Sequence, residues 1–560
     1  MANSIVAHLS RYLGGEDPDA RLAVALACQA TQAGHVCADL DQEAGWGPWA
    51  GEMDGRARAG LRARLPEMAI VGGADEQSPS PPPPPPQGGE GSFARRSAYA
   101  TTTPLVWDGR RLFLRRYWAY EQQVAHDLQA RVQVPAALGA AMQAALAGRF
   151  ADAGQQNAAR IALTHRLAVI SGGPGTGKTH TLARIIALLL EENADLRIAL
   201  AAPTGKAAAR MTEALRAAAL CTANIAVAPE GRTLHRLLGM RADGSGFYHC
   251  RERPLAVDVL VVDEASMIDL SLMCHLLDAL PAAARLILLG DRDQLAAVEA
   301  GAVFADLCAS EQLASAVATL VTRFRFAGES GIARLAEALR TGDAAGTLAR
   351  LQSATDDLDW QPRSDTQALA AAARDGYQAY REAVVEGLPP GELFESFQRF
   401  RVLCAHRQDV AEINRTLSPP DGLLAQSGTP VMVVKNDPLL RLFNGDIGLV
   451  LPDPVDGSLK VCFVSSGDGA AVKPRWIPFA RLPDWEVAWA MTVHKSQGSE
   501  FERVMLVLPG AVSAVVTREL VYTGVTRAKR HLSLWATAPV LQAASENRAG
   551  RMSGLPGLLF

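Results

Sequence analysis

Apolar residues along this chain fall into two textures. From about residue 150, short unbroken runs alternate with Ala- and Leu-rich stretches of helical spacing: LAVIS (167–171), LRIALAAP (196–203), VDVLVVDE (257–264) and RLILLGD (285–291). Unbroken apolar runs separated by helices predict a parallel sheet covered on both faces, because a strand buried on both sides has no polar face to alternate with. The pattern returns in FRVLCAHR (400–407) with QDVAEINRTL (408–417), then in RVMLVLPG (503–510) and HLSLWAT (531–537). Two α/β units account for it.

A different texture lies between, at 427–485, with TPVMVVKND, NGDIGLVL, SLKVCFV and PRWIPFARL. Asn444-Gly445 beside alternating apolar residues is a hairpin signal, and the segment reads as a small antiparallel barrel inserted in the second α/β unit. The first 140 residues read as mainly helical, interrupted by SPSPPPPPPQGGEGS (78–92). Successive prolines favour a stiff polyproline II rod, a linker or surface loop, with an SH3 or WW ligand as the alternative. RRLFLRRYW (110–118) reads as a strand with a basic outer face or as a nucleic-acid stripe; Trp46 and Trp49 lie upstream of it. At 560 residues the chain is long enough for three or four domains. The boundaries read 1–145, 146–345 and 346–560.

Composition narrows the class. A net charge of −4 gives no global positive field, which argues against a protein that coats DNA passively but not against a motor with a local basic lining. Eight cysteines without a C-x-x-C pair exclude a zinc ribbon or thioredoxin-type site. No run approaches the ~18 apolar residues of a membrane span, and the N-terminus lacks a signal-peptide pattern, so a cytoplasmic protein without membrane contact is expected.

The most specific chemistry is GGPGTGKT, directly after LAVIS and before HTLARIIALLL. This is a P-loop in its strand–loop–helix setting. Gly172, Gly173, Pro174, Gly175, Thr176 and Gly177 would turn backbone N–H groups around the phosphates of ATP. Lys178 would reach the β- and γ-phosphates and Thr179 would hold Mg2+. VLVVDEAS delivers Asp263 to a strand end as a second Mg2+ ligand, through water, and Glu264 as the base for the attacking water. An N-cap with a solvated neighbour is the plainer alternative for that acidic pair. Gln294, beyond a third strand end in LLGDRDQL, is placed to read the γ-phosphate. Gln155 fits an adenine-reading residue, though Gln156 stands beside it and only one can serve.

These motifs, with APTGKAA (202–208), GRTLHRLLG (231–239), TRFRF (322–326), AMTVHKSQGSEF (490–501) and VYTGVTRAKRHL (521–532), occur in the order found in superfamily 1 helicases. TVHKSQGSEF with VTRAK resembles the 5′→3′ branch that includes RecD-like proteins, and FRFAGESGIARLAEALRTGD is similar to the RecD subunits of exodeoxyribonuclease V, the RecBCD complex. The likeness covers about residues 150–540 and extends in character to the N-terminal region; the helix–hairpin–helix repeats of stand-alone relatives are not seen, and the proline tract at 81–86 departs from the pattern.

The resemblance implies two RecA-like P-loop domains sharing one ATP site, an SH3-like β-barrel insertion and a helical N-terminal domain that docks partners. It implies arginine fingers, first Arg527 and second Arg325, with Arg323 two residues away from the latter. Gly498 and Glu500 would contact the nucleotide, and Pro203, Thr204, Lys206, Thr233, His235, Thr492 and His494 would hold single-stranded DNA by its backbone. Helix caps or core hydrogen bonds are the plainer readings of these DNA candidates. Alternate gripping by two halves, driven by ATP closure and hydrolysis, would move the strand, and its 5′→3′ direction comes from the resemblance alone. The implied protein is an ATP-dependent DNA helicase subunit that processes duplex ends for recombinational repair with RecB-like and RecC-like subunits. Without a metal-nuclease cluster of its own, any exonuclease activity belongs to a partner. A stand-alone helicase and a DNA-dependent ATPase switch without unwinding are the competing readings.

Overall fold

The computed structural model describes residues 2–42, 53–74, 103–132, 136–219, 230–241, 246–322, 330–353, 355–363, 365–418, 426–437, 439–465 and 473–559. Trp46, Trp49, the proline tract and Arg325 lie outside them. The chain divides into two compact units: Met1–Arg292 with Ala296–Arg323 and Gly550–Phe560, and Asp293–Leu295 with Phe324–Ala549.

In the first unit, helices Ala2–Gly14, Pro18–Gln32 and Arg115–Gln129 accompany a four-stranded sheet. Its strands are β1 (Cys37–Asp39), β2 (Val71–Gly73), β3 (Leu105–Trp107) and β4 (Arg111–Leu114), in the order β1-β4-β3-β2. The RRLFLRRYW segment thus splits, its first half forming β4 and its second half starting a helix. Trp118, Val124 and Leu128 of that helix share one core with Leu270, Met273 and Leu277 of helix Leu270–Ala279. The N-terminal region is therefore built into the α/β body and does not end at residue 145.

The α/β body has a six-stranded parallel sheet: β5 (Leu167–Gly172), β6 (Ile198–Ala202), β7 (Gly231–Thr233), β8 (Val259–Val262), β9 (Arg285–Gly290) and β10 (Val317–Leu320), in the order β10-β5-β9-β8-β6-β7. β5 and β8 are buried along their whole length, as their unbroken apolar sequences predict.

Residues 550–559 return to close this unit. Leu555 and Leu559 enter the same core. Met552 N donates to His35 Nδ1 at 2.9 Å, and Gly554 N donates to the buried Glu121 carboxylate at 2.8 Å. A Cβ on Gly554 would lie 2.5 Å from Glu121 Oε2, so any side chain there would have to displace the carboxylate that Gly554 N binds. Burial pushes the Glu121 carboxyl up to about 7, against the pull of Ser553 and Gly554. Leu555→Ala is expected to destabilise this unit by about 2–5 kcal/mol, read as a lowered thermal midpoint; an unmoved midpoint would make the return dispensable.

The second unit begins with helices Gly331–Thr341 and Ala344–Gln352, whose Ile332, Leu335, Leu339 and Leu351 pack with Leu506, Leu520 and Leu532. That packing sets the division between the units near residue 323, not 345. β11 (Leu358–Gln361) and β12 (Phe400–Cys404) precede an antiparallel set, β13 (Pro430–Val433), β14 (Ile447–Pro452), β15 (Leu459–Ser465), β16 (Lys473–Ile477) and β17 (Trp485–Val487). β18 (Ala490–Thr492), β19 (Phe501–Val507) and β20 (Ala528–Trp535) complete a parallel sheet, β11-β20-β19-β12-β18.

The inserted sheet pairs in the open order β16-β15-β14-β13-β17, so its antiparallel character is present while closure into an SH3-like barrel is not seen in the pairing. β13 and β14 pair as the hairpin signal predicts, but through the long connection 434–446, with Gly445 at φ 93° near its end rather than in a two-residue turn. Among the described residues no helix is long and apolar enough to cross a membrane.

Candidate nucleotide site and nucleic-acid contacts

The P-loop sits where β5 hands over to helix Lys178–Glu192. A Cβ at Gly172 would lie 2.6 Å from Thr176 Oγ1, and Gly175 and Gly177 hold φ of 78° and 80°, a region closed to most side chains. Thr176 Oγ1 donates to Gly173 O at 2.8 Å and locks the turn, with Pro174 inside it. The first N–H groups of the helix have no carbonyl partner within it, which makes the loop an anion cradle. Lys178 Nζ donates to Gly172 O at 2.5 Å and Gly173 O at 3.2 Å, folded back over the loop it would leave to meet a phosphate. Thr179 is the second residue of the helix and half-buried. Gln155 is buried and its Nε2 lies 3.4 Å from Thr176 O, whereas Gln156 is half-buried. Asp152 orients Gln155 by accepting from its N–H at 2.8 Å.

Asp263 and Glu264 follow β8. Glu264 N donates to Asp263 Oδ1 at 2.8 Å, and Glu264 has φ 52°, one of two non-glycine residues in the left-handed region among those described. Such strain persists where the surroundings hold it and re-aims a side chain. Burial pushes the Asp263 carboxyl up to about 6, with the Glu264 charge adding and Lys178 and Arg210 opposing. A carboxylate so disfavoured by burial and a like charge is one that a divalent cation would stabilise. Thr179 and Asp263 therefore suit Mg2+, which takes one or two protein oxygens and completes its shell with phosphates and water.

The remaining nucleotide candidates lie in the second unit. Gln294 is buried there, and its neighbour Leu295 is held at both ends: Leu295 N donates to Thr523 Oγ1 and Gln497 Nε2 donates to Leu295 O, each at 2.9 Å. Sequence reasoning missed Thr523 and Gln497, although both stand inside quoted motifs. Arg527 is 2% exposed; its Nε donates to Thr523 O at 3.2 Å and its Nη1 to Ser499 O at 3.1 Å, tying together the two motifs. Gly498 has φ 71°, and Glu500 lies 3.7 Å from Lys529 Nζ.

The DNA candidates gather at the C-terminal ends of β6, β7 and β18, of which β7 and β18 are edge strands. In the first unit Ala202 of β6 pairs with Thr233 of β7, which brings Pro203, Thr204 and Lys206 beside Thr233 and His235. His235 is exposed, with its ring 6.0 Å from that of Phe247. In the second unit Thr492 ends the edge strand β18 and His494 follows it. Thr204, Thr233 and Thr492 each accept from a backbone N–H of the next turn, at 3.3, 3.2 and 3.4 Å. The cap reading thus holds for all three, and it leaves each hydroxyl its own O–H to donate to a phosphate.

Residues 155–300 match the family model of an AAA domain, and residues 487–535 match that of a UvrD-like helicase C-terminal domain. The chain is 39% identical to RecBCD enzyme subunit RecD of Mycolicibacterium smegmatis, over 96% of this chain and 94% of that protein. It is 32% identical to the ATP-dependent RecD2 DNA helicase of Deinococcus radiodurans, over 69% of this chain and 50% of that protein. Among solved structures, Bacteroides Pif1 bound to single-stranded DNA aligns with a TM-score of 0.40 at 17% identity, over 70% of this chain and 94% of that one.

Proposed function

Because the chain belongs to the RecD family of RecBCD enzyme subunits, we propose that it is the ATP-driven 5′→3′ DNA helicase subunit of a cytoplasmic helicase–nuclease complex. It works on duplex ends beside RecB-like and RecC-like subunits, and nuclease chemistry belongs to a partner. The carrying observation is the P-loop with Lys178 beside Asp263 and the strained Glu264. Lys178 and Thr179 take the phosphates and the metal, Glu264 orients the attacking water, and Gln155 reads the adenine. When bound, Mg2+ draws charge from the β- and γ-phosphate oxygens. Gln294, Arg527, Arg325, Gly498 and Glu500 complete the nucleotide contacts, while Thr204, Lys206, Thr233, His235, Thr492 and His494 hold the DNA backbone.

Near-complete mutual coverage with the RecD subunit, against half the length of RecD2, favours the complex over the stand-alone reading. The N-terminal region is the docking side in this reading. Its helix Arg115–Gln129 also belongs to the motor's core, so docking is tested by co-purification of the full chain with its partners and not by deletion.

Strand displacement tests the motor: the full chain should unwind a duplex with a 5′ tail when given ATP, and ATP turnover without displacement would leave only a switch. Glu264→Gln should retain nucleotide binding and lose hydrolysis, since its carboxylate acts on water; a collapse of nucleotide affinity would remove Glu264 from that role.

A further inference from the structure

Val487 ends β17 and Ala490 begins β18, so the link VAWA (487–490) joins the inserted antiparallel sheet to the strand that runs into TVHKSQGSEF. Every carbonyl of this link is taken by a side chain from elsewhere in the second unit. Asn414 Nδ2 donates to Val487 O at 2.8 Å and Ala490 O at 3.1 Å, and its Oδ1 accepts from Ala490 N at 2.7 Å. Arg401 Nη1 donates to Ala488 O at 3.1 Å, and the Tyr377 hydroxyl donates to Trp489 O at 2.6 Å.

Arg401 is the telling member. It is 0% exposed on the interior strand β12, and no carboxylate pairs with it among the described residues. Its guanidinium lies 4.0 Å over the Phe397 ring and 5.1 Å over the Phe501 ring. A buried cation without a counter-charge is costly, and an apolar residue would fill that space at lower free energy. What an apolar residue could not do is bracket AMTVHKSQGSEF. Arg401 grips Ala488 O before the motif and stacks on Phe501 at its end.

We propose that Tyr377, Arg401 and Asn414 are positioning residues that make the inserted sheet and the DNA-facing strand one rigid element, fixing where Thr492 and His494 meet the strand. This rests on the reading that Thr492 and His494 contact the DNA backbone. Their effect is on DNA coupling, with no contact to nucleotide.

Two near-isosteric variants test it in the full chain. Tyr377→Phe removes the hydroxyl, and with it the bond to Trp489 O and the contact with Arg401, and Asn414→Asp keeps the acceptor for Ala490 N but loses both donated bonds. Each should raise the half-stimulating concentration of an oligo-dT strand by about three- to ten-fold, the scale of one or two lost hydrogen bonds. Turnover without DNA and the KM for ATP should stay at wild-type values. Combining Tyr377→Phe with Thr492→Ala should shift the oligo-dT requirement by less than the product of the single effects, because both act on one contact. An unchanged oligo-dT requirement in both variants overturns the proposal, as does a parallel fall in DNA-free turnover, which a merely structural role would produce. A wild-type chain that oligo-dT does not stimulate overturns this proposal and the DNA-motor reading together.

Discussion

Lys178→Ala is expected to abolish DNA-stimulated ATP hydrolysis, with turnover down by about 10²–10³-fold or more, the scale of a lost phosphate-stabilising donor. The side chain's bonds stay within the loop it serves: its ammonium rests on Gly172 O and Gly173 O. Removing it frees two loop carbonyls, at the end of β5 and just after it, and takes no apolar side chain out of the core, so the thermal midpoint should hold to within about a few degrees. Phosphate release with and without single-stranded DNA, beside a melting curve on the same preparation, checks both halves of the statement. Near-normal turnover in a folded variant would sink the assignment of the ATP site.

Arg527→Ala should slow turnover by about 10³-fold while nucleotide still binds through the P-loop, as expected when an arginine finger is lost. Here part of any effect is structural, because the guanidinium is buried and bonds Thr523 O and Ser499 O. Leaving those carbonyls unpaired costs about 1–3 kcal/mol each. Arg527→Lys separates the contributions: it keeps a charge but cannot span both carbonyls. A fluorescent-nucleotide titration and single-turnover kinetics on the two variants give the answer. A loss below about ten-fold in Arg527→Ala would pass the role to Arg325 or another residue.

The parts of this molecule that were legible in its sequence are those with local causes. β5, the glycines and the helix behind Lys178 are contiguous, so the P-loop could be read with its setting, and both parallel sheets followed from unbroken apolar runs. Of the N-terminal sheet only β4 was legible, as the strand reading of RRLFLRRYW; the other three strands have three residues each, too few for alternation to register. Thr204, Thr233 and Thr492 were legible as candidates, while their caps emerged only with the turns that follow. Tyr377 and Asn414 gave no signal at all. Their partners are main-chain carbonyls 112 and 73 residues away, and a carbonyl carries no identity in a sequence.

The return of residues 550–559 to the first unit has a consequence for how the protein is born. Leu555 and Leu559 belong to the core that also holds Phe113, Trp118 and Leu270. During synthesis that core must wait, unfilled, while the whole of Phe324–Ala549 leaves the ribosome. At about 5–20 residues per second the wait lasts on the order of tens of seconds. The unit that carries the P-loop is therefore begun first and finished last, and a nascent chain halted before Leu555 presents an open apolar seam to whatever chaperone is at hand.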